Sequence, residues 1–111
     1  MDLKTKNEAN AIIVSVGGRL DTVTAPEYEK QIHELIDCGN ISFVVDFEQL
    51  EYISSAGLRA LLVMAKLLNA KGGQLCFANV SGNVRSVFDM SGFNELFKIE
   101  NSVTEALADL A

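Results

Sequence analysis

Two adjacent hydroxyls, Ser54 and Ser55, stand in the stretch YISSAGLR (Tyr52–Arg59), just ahead of a long apolar run. A serine so placed can act as a nucleophile, cap a helix, or carry a phosphoryl group. Hydrolysis by a serine needs a base in reach and a group that orients the base. The chain has one histidine, His33, inside EKQIHELI, where the spacing makes it a partly exposed helix residue. The G-x-S-x-G elbow is also missing around Ser55, because Ile53 takes the place of its first glycine. Asp21 and Asp46 are the best-placed acids. Asp21 reads as a turn or helix-entry residue. Asp46 reads as a strand-end acid bonded to nearby amides, or as an acid supporting the serine loop. A serine hydrolase is therefore the weakest of the functional readings.

Other chemistries have less to work with. Gly17-Gly18 and Gly72-Gly73 lack the spacing of a phosphate-binding loop and read as tight turns. Cys38 and Cys76 are far apart and fit no metal spacing. They are expected to be buried thiols in a reducing compartment. No cofactor or metal site is expected.

One serine of the pair is explained by capping, since its oxygen would satisfy a free amide and add about 1 kcal/mol. Capping does not explain a first turn of Ser-Ala-Gly. Gly57 costs a helix about 1 kcal/mol relative to Ala, and its small size is expected to keep the helix mouth open to a second surface. A helix start also offers free amides and the positive end of the dipole. A phosphate on Ser55 would be tolerated there, and its roughly two negative charges would alter any surface docked over it. Residue types alone permit both the cap and the switch.

The elements that must position these serines follow from periodicity. Ala11–Gly18 (AIIVSVGG) reads as a strand and turn, with the polar start as a possible edge strand beside it. Thr24 and Glu27 suggest a capping box, and Tyr28, Ile32, Leu35 and Ile36 recur at helical spacing up to Gly39-Asn40. Ile41–Phe47 suits a central strand, and EQLEYI a short connection. The next helix is expected to reach about Ala70, burying Leu58, Leu61, Leu62, Ala65 and Leu68, with Met64 as core filler or docking knob. Gln74–Val80 is a strand; a short helix follows with Val84, Val87 and Phe88 inward. Leu96–Ile99 is a brief strand, and Ser102 with Glu105 caps a last helix bearing Val103, Ala106, Leu107 and Leu110. The alternation predicts one α/β domain over residues 1–111, a mixed, mainly parallel sheet of four to five strands with about four helices.

Composition narrows the partners. The 111 residues carry a formal net charge of −6, which argues against nucleic acid or an acidic membrane surface. The polar start and the short apolar segments predict a cytoplasmic protein without a leader or a membrane span.

Several stretches in order resemble bacterial anti-sigma factor antagonists of the STAS domain family. They are GRLDTVTA (Gly18–Ala25), the strand through Val44-Val45-Asp46-Phe47, ISSAGLRALL after it, and VRSVFDMSGF (Val84–Phe93). The resemblance spans the chain and implies a single STAS-like domain without enzymatic activity. By its offset from Gly57 it implies phosphorylation at Ser55, with Ser54, standing where the family often has Asp, as second candidate. It implies a partner surface of Asp21, Thr22, Thr24, Ser54, Ser55, Ala56, Gly57 and Arg59. The implied partners are an anti-sigma factor, a serine-protein kinase with a histidine-kinase-like ATPase domain, and a PP2C-like phosphatase. Arg59 is open to three roles: a solvent-facing side chain, a contact to an acidic kinase patch, or a contact to the phosphate. The alternative within the family is a scaffold subunit of a signalling or transport assembly, in which Ser55 only caps.

Overall fold

The computed structural model describes residues 1–110. Strands β1 (Asp2–Glu8) and β2 (Ala11–Leu20) form an antiparallel hairpin. Its two loop residues, Ala9 and Asn10, both have positive φ, 51° and 65°, as a tight turn matched to strand twist requires. The polar start is thus an edge strand, as expected. Helix α1 (Ala25–Asp37), β3 (Ser42–Asp46), β4 (Leu50–Ile53), α2 (Ser55–Ala70) and β5 (Gln74–Ala78) follow. Then come α3 (Gly82–Ser91), α4 (Phe93–Leu96), β6 (Lys98–Glu100) and α5 (Val103–Leu110).

The sheet runs β1-β2-β3-β5-β6, and β4 lies against the far end of β2. Every pair but β1–β2 is parallel. Burial from both sides explains the unbroken apolar runs of β2, β3 and β5. Ile12, Val14, Val16, Phe43, Val45 and Phe77 face the larger core beneath α1 and α2. Ile13, Val44, Cys76 and Ala78 face the opposite way, onto Ala106 of α5. Five phenylalanines knit α3, α4 and β6 to the sheet, with Phe77–Phe88 and Phe88–Phe93 centroids 5.4 Å apart and edge-to-face.

The structure corrects several expectations. Among the described residues the sheet has six strands, and there are five helices. EQLEYI is not merely a connection, because Leu50–Ile53 pairs with β2 through Gly18, Arg19 and Leu20. Gly17-Gly18 is not a turn either. Strand β2 continues through it, changing neighbour from β3 to β4 at a register shift beside Gly18, whose φ of 79° suits glycine. The buried stripe of α2 is Gly57, Ala60, Leu61, Met64 and Leu68, rotated from the one expected; Leu58, Leu62 and Ala65 are only half-buried. Met64 is core, accepting a 3.1 Å hydrogen bond at Sδ from the buried Tyr28 hydroxyl. Leu35 is half-buried, and Leu96 closes the one-turn helix α4 instead of opening a strand. Thr24 and Glu27 form no capping box: the Glu27 carboxylate accepts from Gln31 instead, at 2.9 Å. At α5 the serine half of the box is present, with the Glu105 amide donating to Ser102 Oγ at 3.1 Å, while Glu105 Oε2 reaches one residue past the cap and accepts from the Asn101 amide. Cys76 is buried but Cys38, just past the end of α1, is exposed.

Candidate functional site

The pairing of β2 with β4 brings the two candidate loops together. Arg19 stands opposite Tyr52 and Leu20 opposite Ile53. Each strand then feeds a helix on the same edge: β2 through Asp21–Thr24 into α1, β4 through Ser54 into α2. The Ser54 amide donates to the Leu20 carbonyl at 2.9 Å, tying the mouth of α2 to the end of β2.

The first loop is held by Asp21 and Thr24. Asp21 Oδ1 accepts from the Val23 and Thr24 amides at 3.0 and 3.2 Å. In return Thr24 Oγ1 accepts from the Asp21 amide at 2.9 Å, and its hydroxyl faces the Arg19 carbonyl at the same distance. The Thr24 amide is the main cause holding the Asp21 carboxyl below its ordinary value, aided by Val23, the Thr24 hydroxyl and Arg19 and opposed by partial desolvation. Asp21 is thus the turn residue expected from its position. The turn displays Thr22 and, beside it, Val23, which is 84% exposed.

At the second loop the two serines divide the work. Ser54 is the N-cap, with extended backbone (φ −98°, ψ 176°), and its Oγ accepts from the Gly57 amide at 3.3 Å. Ser55 is the first residue of α2 and is exposed. Its hydroxyl has no hydrogen-bond partner among the described residues. The cap is therefore filled by the neighbour, and Oγ of Ser55 is left facing solvent. Arg59 lies one turn further along and is exposed as well. Ala56 is half-buried.

Gly57 is placed differently from the expectation. It is buried, so it presents nothing to a partner. It does not hold the mouth open; it lets the helix sit close to the sheet. A Cβ there would come within 2.6 Å of the Leu20 carbonyl oxygen and 2.8 Å of Ile53 Cγ1. The close approach explains why a poor helix former begins this helix.

Two residues on or beside the first loop were not singled out from the sequence. Arg19 lays its guanidinium 4.1 Å from the centroid of the Tyr52 ring and pairs with Asp21 Oδ2 at 3.4 Å. The only signal for this arrangement is the β2–β4 register, which is non-local. Val23 did leave a local trace: an apolar residue inside an otherwise polar turn, outside the period of α1.

The remaining candidates lie outside this cluster. Asp46 Oδ1 accepts from the Glu48 amide at 3.0 Å and from Asn79 Nδ2 at 2.9 Å, so it is a strand-end acid that joins β3 to the end of β5. It lines a cleft of about 190 Å³ with Asp2, Lys4, Ser15 and Glu48. His33 is exposed among Glu29, Lys30, Glu34 and Asp37 on α1 and bonds to neither serine. Chemically, the serine site offers an exposed hydroxyl next to a filled helix cap that is tied to the end of β2.

The STAS domain model matches residues 2–106. The chain belongs to the STAS domain family. BtrV of Bordetella bronchiseptica, named as a candidate anti-sigma factor antagonist, is 36% identical over 87% of this chain and 84% of its own length. In three dimensions the chain is similar to a candidate anti-sigma factor antagonist of Thermotoga maritima, with a TM-score of 0.93 and 18% identity over 97% of this chain and 93% of that one. It is also similar to the anti-sigma factor antagonist SpoIIAA in its unphosphorylated form (TM-score 0.76, 20% identity, 97% and 96% covered). The phosphorylated form of SpoIIAA, from Bacillus, gives a TM-score of 0.79 at 21% identity, with 99% and 100% covered. At these identities the solved structures speak to the fold. No helix among the described residues is long and apolar enough to cross a membrane.

Proposed function

We propose that this protein is an anti-sigma factor antagonist working by partner switching, with Ser55 as its phosphorylation site. Unmodified, it binds an anti-sigma factor that is also a serine-protein kinase with a histidine-kinase-like ATPase domain. The bound kinase then ends its own capture. Ser55 Oγ forms a bond to the γ-phosphorus of ATP, the bond from that phosphorus to the β-phosphate oxygen breaks, ADP leaves, and the serine proton passes to a base of the kinase. A PP2C-like phosphatase returns the serine to its bare state by hydrolysis. The protein is the substrate in both steps and supplies no catalytic group.

The observation that carries this reading is the division of labour at the mouth of α2. Ser54 fills the cap, so Ser55 is exposed at no structural cost. A phosphate there adds about −1.5 to −2 charges to a docking surface while breaking no hydrogen bond of the bare fold. The names of BtrV and SpoIIAA as antagonists support the same reading. The docking surface comprises Thr22, Val23, Ser55 and Arg59, with Asp21, Thr24, Ser54 and Ala56 shaping it from beneath.

Incubation with the cognate anti-sigma kinase and Mg-ATP, followed by phosphopeptide mass spectrometry, tests the assignment. One phosphate on Ser55 is expected. Tight binding of the kinase domain without any transfer to Ser54 or Ser55 would favour a scaffold role instead.

A further inference from the structure

Helix α2 runs SAGLRALLVMAKLLNA from Ser55 to Ala70 without one acidic residue, in a chain whose net charge is −6. Its first exposed cation is Arg59, four residues after Ser55. Side chains at that spacing share a helix face, with Cβ atoms about 5–6 Å apart. The other two arginines are engaged, Arg19 with Asp21 and Tyr52, Arg85 with Asp89 at 3.4 Å. Arg59 makes no ion pair or hydrogen bond among the described residues. The cap beside it is the neutral Ser54, so no carboxylate in the first turn competes for the guanidinium.

We propose that Arg59 is the receptor for a phosphate on Ser55, forming an intramolecular ion pair along one turn of α2. The inference rests on the phosphorylation of Ser55 proposed above and adds a second consequence to it. An anion placed four residues before a cation is the favourable order on a helix. The guanidinium fork matches two phosphate oxygens, and the long arginine stem can reach a short phosphoserine. Before modification, the Ser55–Arg59 turn presents a neutral hydroxyl and one positive charge. Afterwards the same turn carries a net charge of about −0.5 to −1, and its guanidinium is occupied. Phosphorylation therefore adds an anion to the docking surface and withdraws a cation from it. A partner with carboxylates opposite Arg59 loses an attraction and gains a repulsion in one step.

The test uses full-length protein with phosphoserine installed at position 55 during translation, so that no kinase is needed. Phosphorus NMR titrations compare it with the same phosphoprotein carrying Arg59→Gln or Arg59→Lys. The second phosphate pKa is expected to lie about 0.2 to 0.4 unit lower with Arg59 than with Gln, with Lys between them. The Arg59 Nε–H resonance is expected to move only in the phosphoprotein. Matching amide spectra of the bare variants establish that all fold alike. Equal phosphate pKa values with Arg59 and with Gln, and an Nε–H unmoved by the phosphate, overturn the proposal. A kinase that never modifies Ser55 would defeat the functional reading above while leaving this titration as it is, so the two failures are distinguishable.

Discussion

Gly57 packs against Leu20 so closely that its missing side chain is the fit: a methyl at its Cα would stand 2.6 Å from the Leu20 carbonyl oxygen. That oxygen already accepts the Ser54 amide at 2.9 Å. One carbonyl at the end of β2 therefore sets both the height of α2 above the sheet and the place of the serine pair.

Gly57→Ala is expected to destabilise the protein although alanine is the better helix former. The propensity gain of about 1 kcal/mol is opposed by overpacking of about 1–3 kcal/mol and more where backbone must shift. Urea unfolding should show a net loss of about 1–2 kcal/mol. A stabilised variant would mean that the helix mouth is not wedged against β2.

Ser54 and Ser55 should separate stability from function. Ser54→Ala removes the cap and should cost about 0.5–1 kcal/mol, the low end of the range suiting its 3.3 Å bond. Ser55→Ala should change stability by less than about 0.5 kcal/mol, since the hydroxyl is exposed and unbonded. Thermal melts of both variants decide; the reverse order would assign the cap to Ser55.

Calorimetric titration with the anti-sigma kinase should find Ser55→Ala binding like the unmodified protein and Ser55→Asp binding more weakly. The loss is expected to be partial, because one carboxylate carries less charge and fewer acceptor oxygens than a phosphate. Equal affinities would remove the charge at position 55 from the switch.

Two carboxyls should titrate in opposite senses. Asp21 is held below its ordinary value of 3.8, chiefly by the Thr24 amide. Its contribution to stability is therefore in place above that value and is lost as pH falls through the lower folded one. Glu100 is raised above its ordinary 4.5, first by a hydrogen bond to the Asp109 carboxyl and next by its charge. The folded protein holds that proton more tightly than the unfolded chain, so this pair becomes less stabilising as pH rises from the ordinary value through the raised one. Asp109→Asn should raise the melting temperature at pH 7 and bring the Glu100 titration, followed by carboxyl carbon NMR, back toward 4.5. An unchanged titration would mean that the two groups do not interact.

Residue spacing alone placed what depends on a few neighbours in the chain. Gly39, with φ of 100°, ends the region of α1 as expected, and Ser102 and Glu105 cap α5 through bonds spanning three or four residues. The cap of α2 was legible for the same reason: a serine before the apolar run reaches the Gly57 amide only three residues on. Long-range packing decided the rest. Leu50–Ile53 is too short to announce itself, and it is a strand because β2 outlasts β3 and needs a neighbour for Gly18–Leu20. The same pairing turned Gly17-Gly18 from a turn into a bulge and laid Arg19 over Tyr52. It also rotated the buried face of α2 toward Gly57 and Met64, since the helix settles where the Leu20 carbonyl allows its backbone to approach. Hydroxyls and glycines are printed in the chain, but which of them faces water depends on contacts between residues more than thirty positions apart, and a local pattern carries no trace of those.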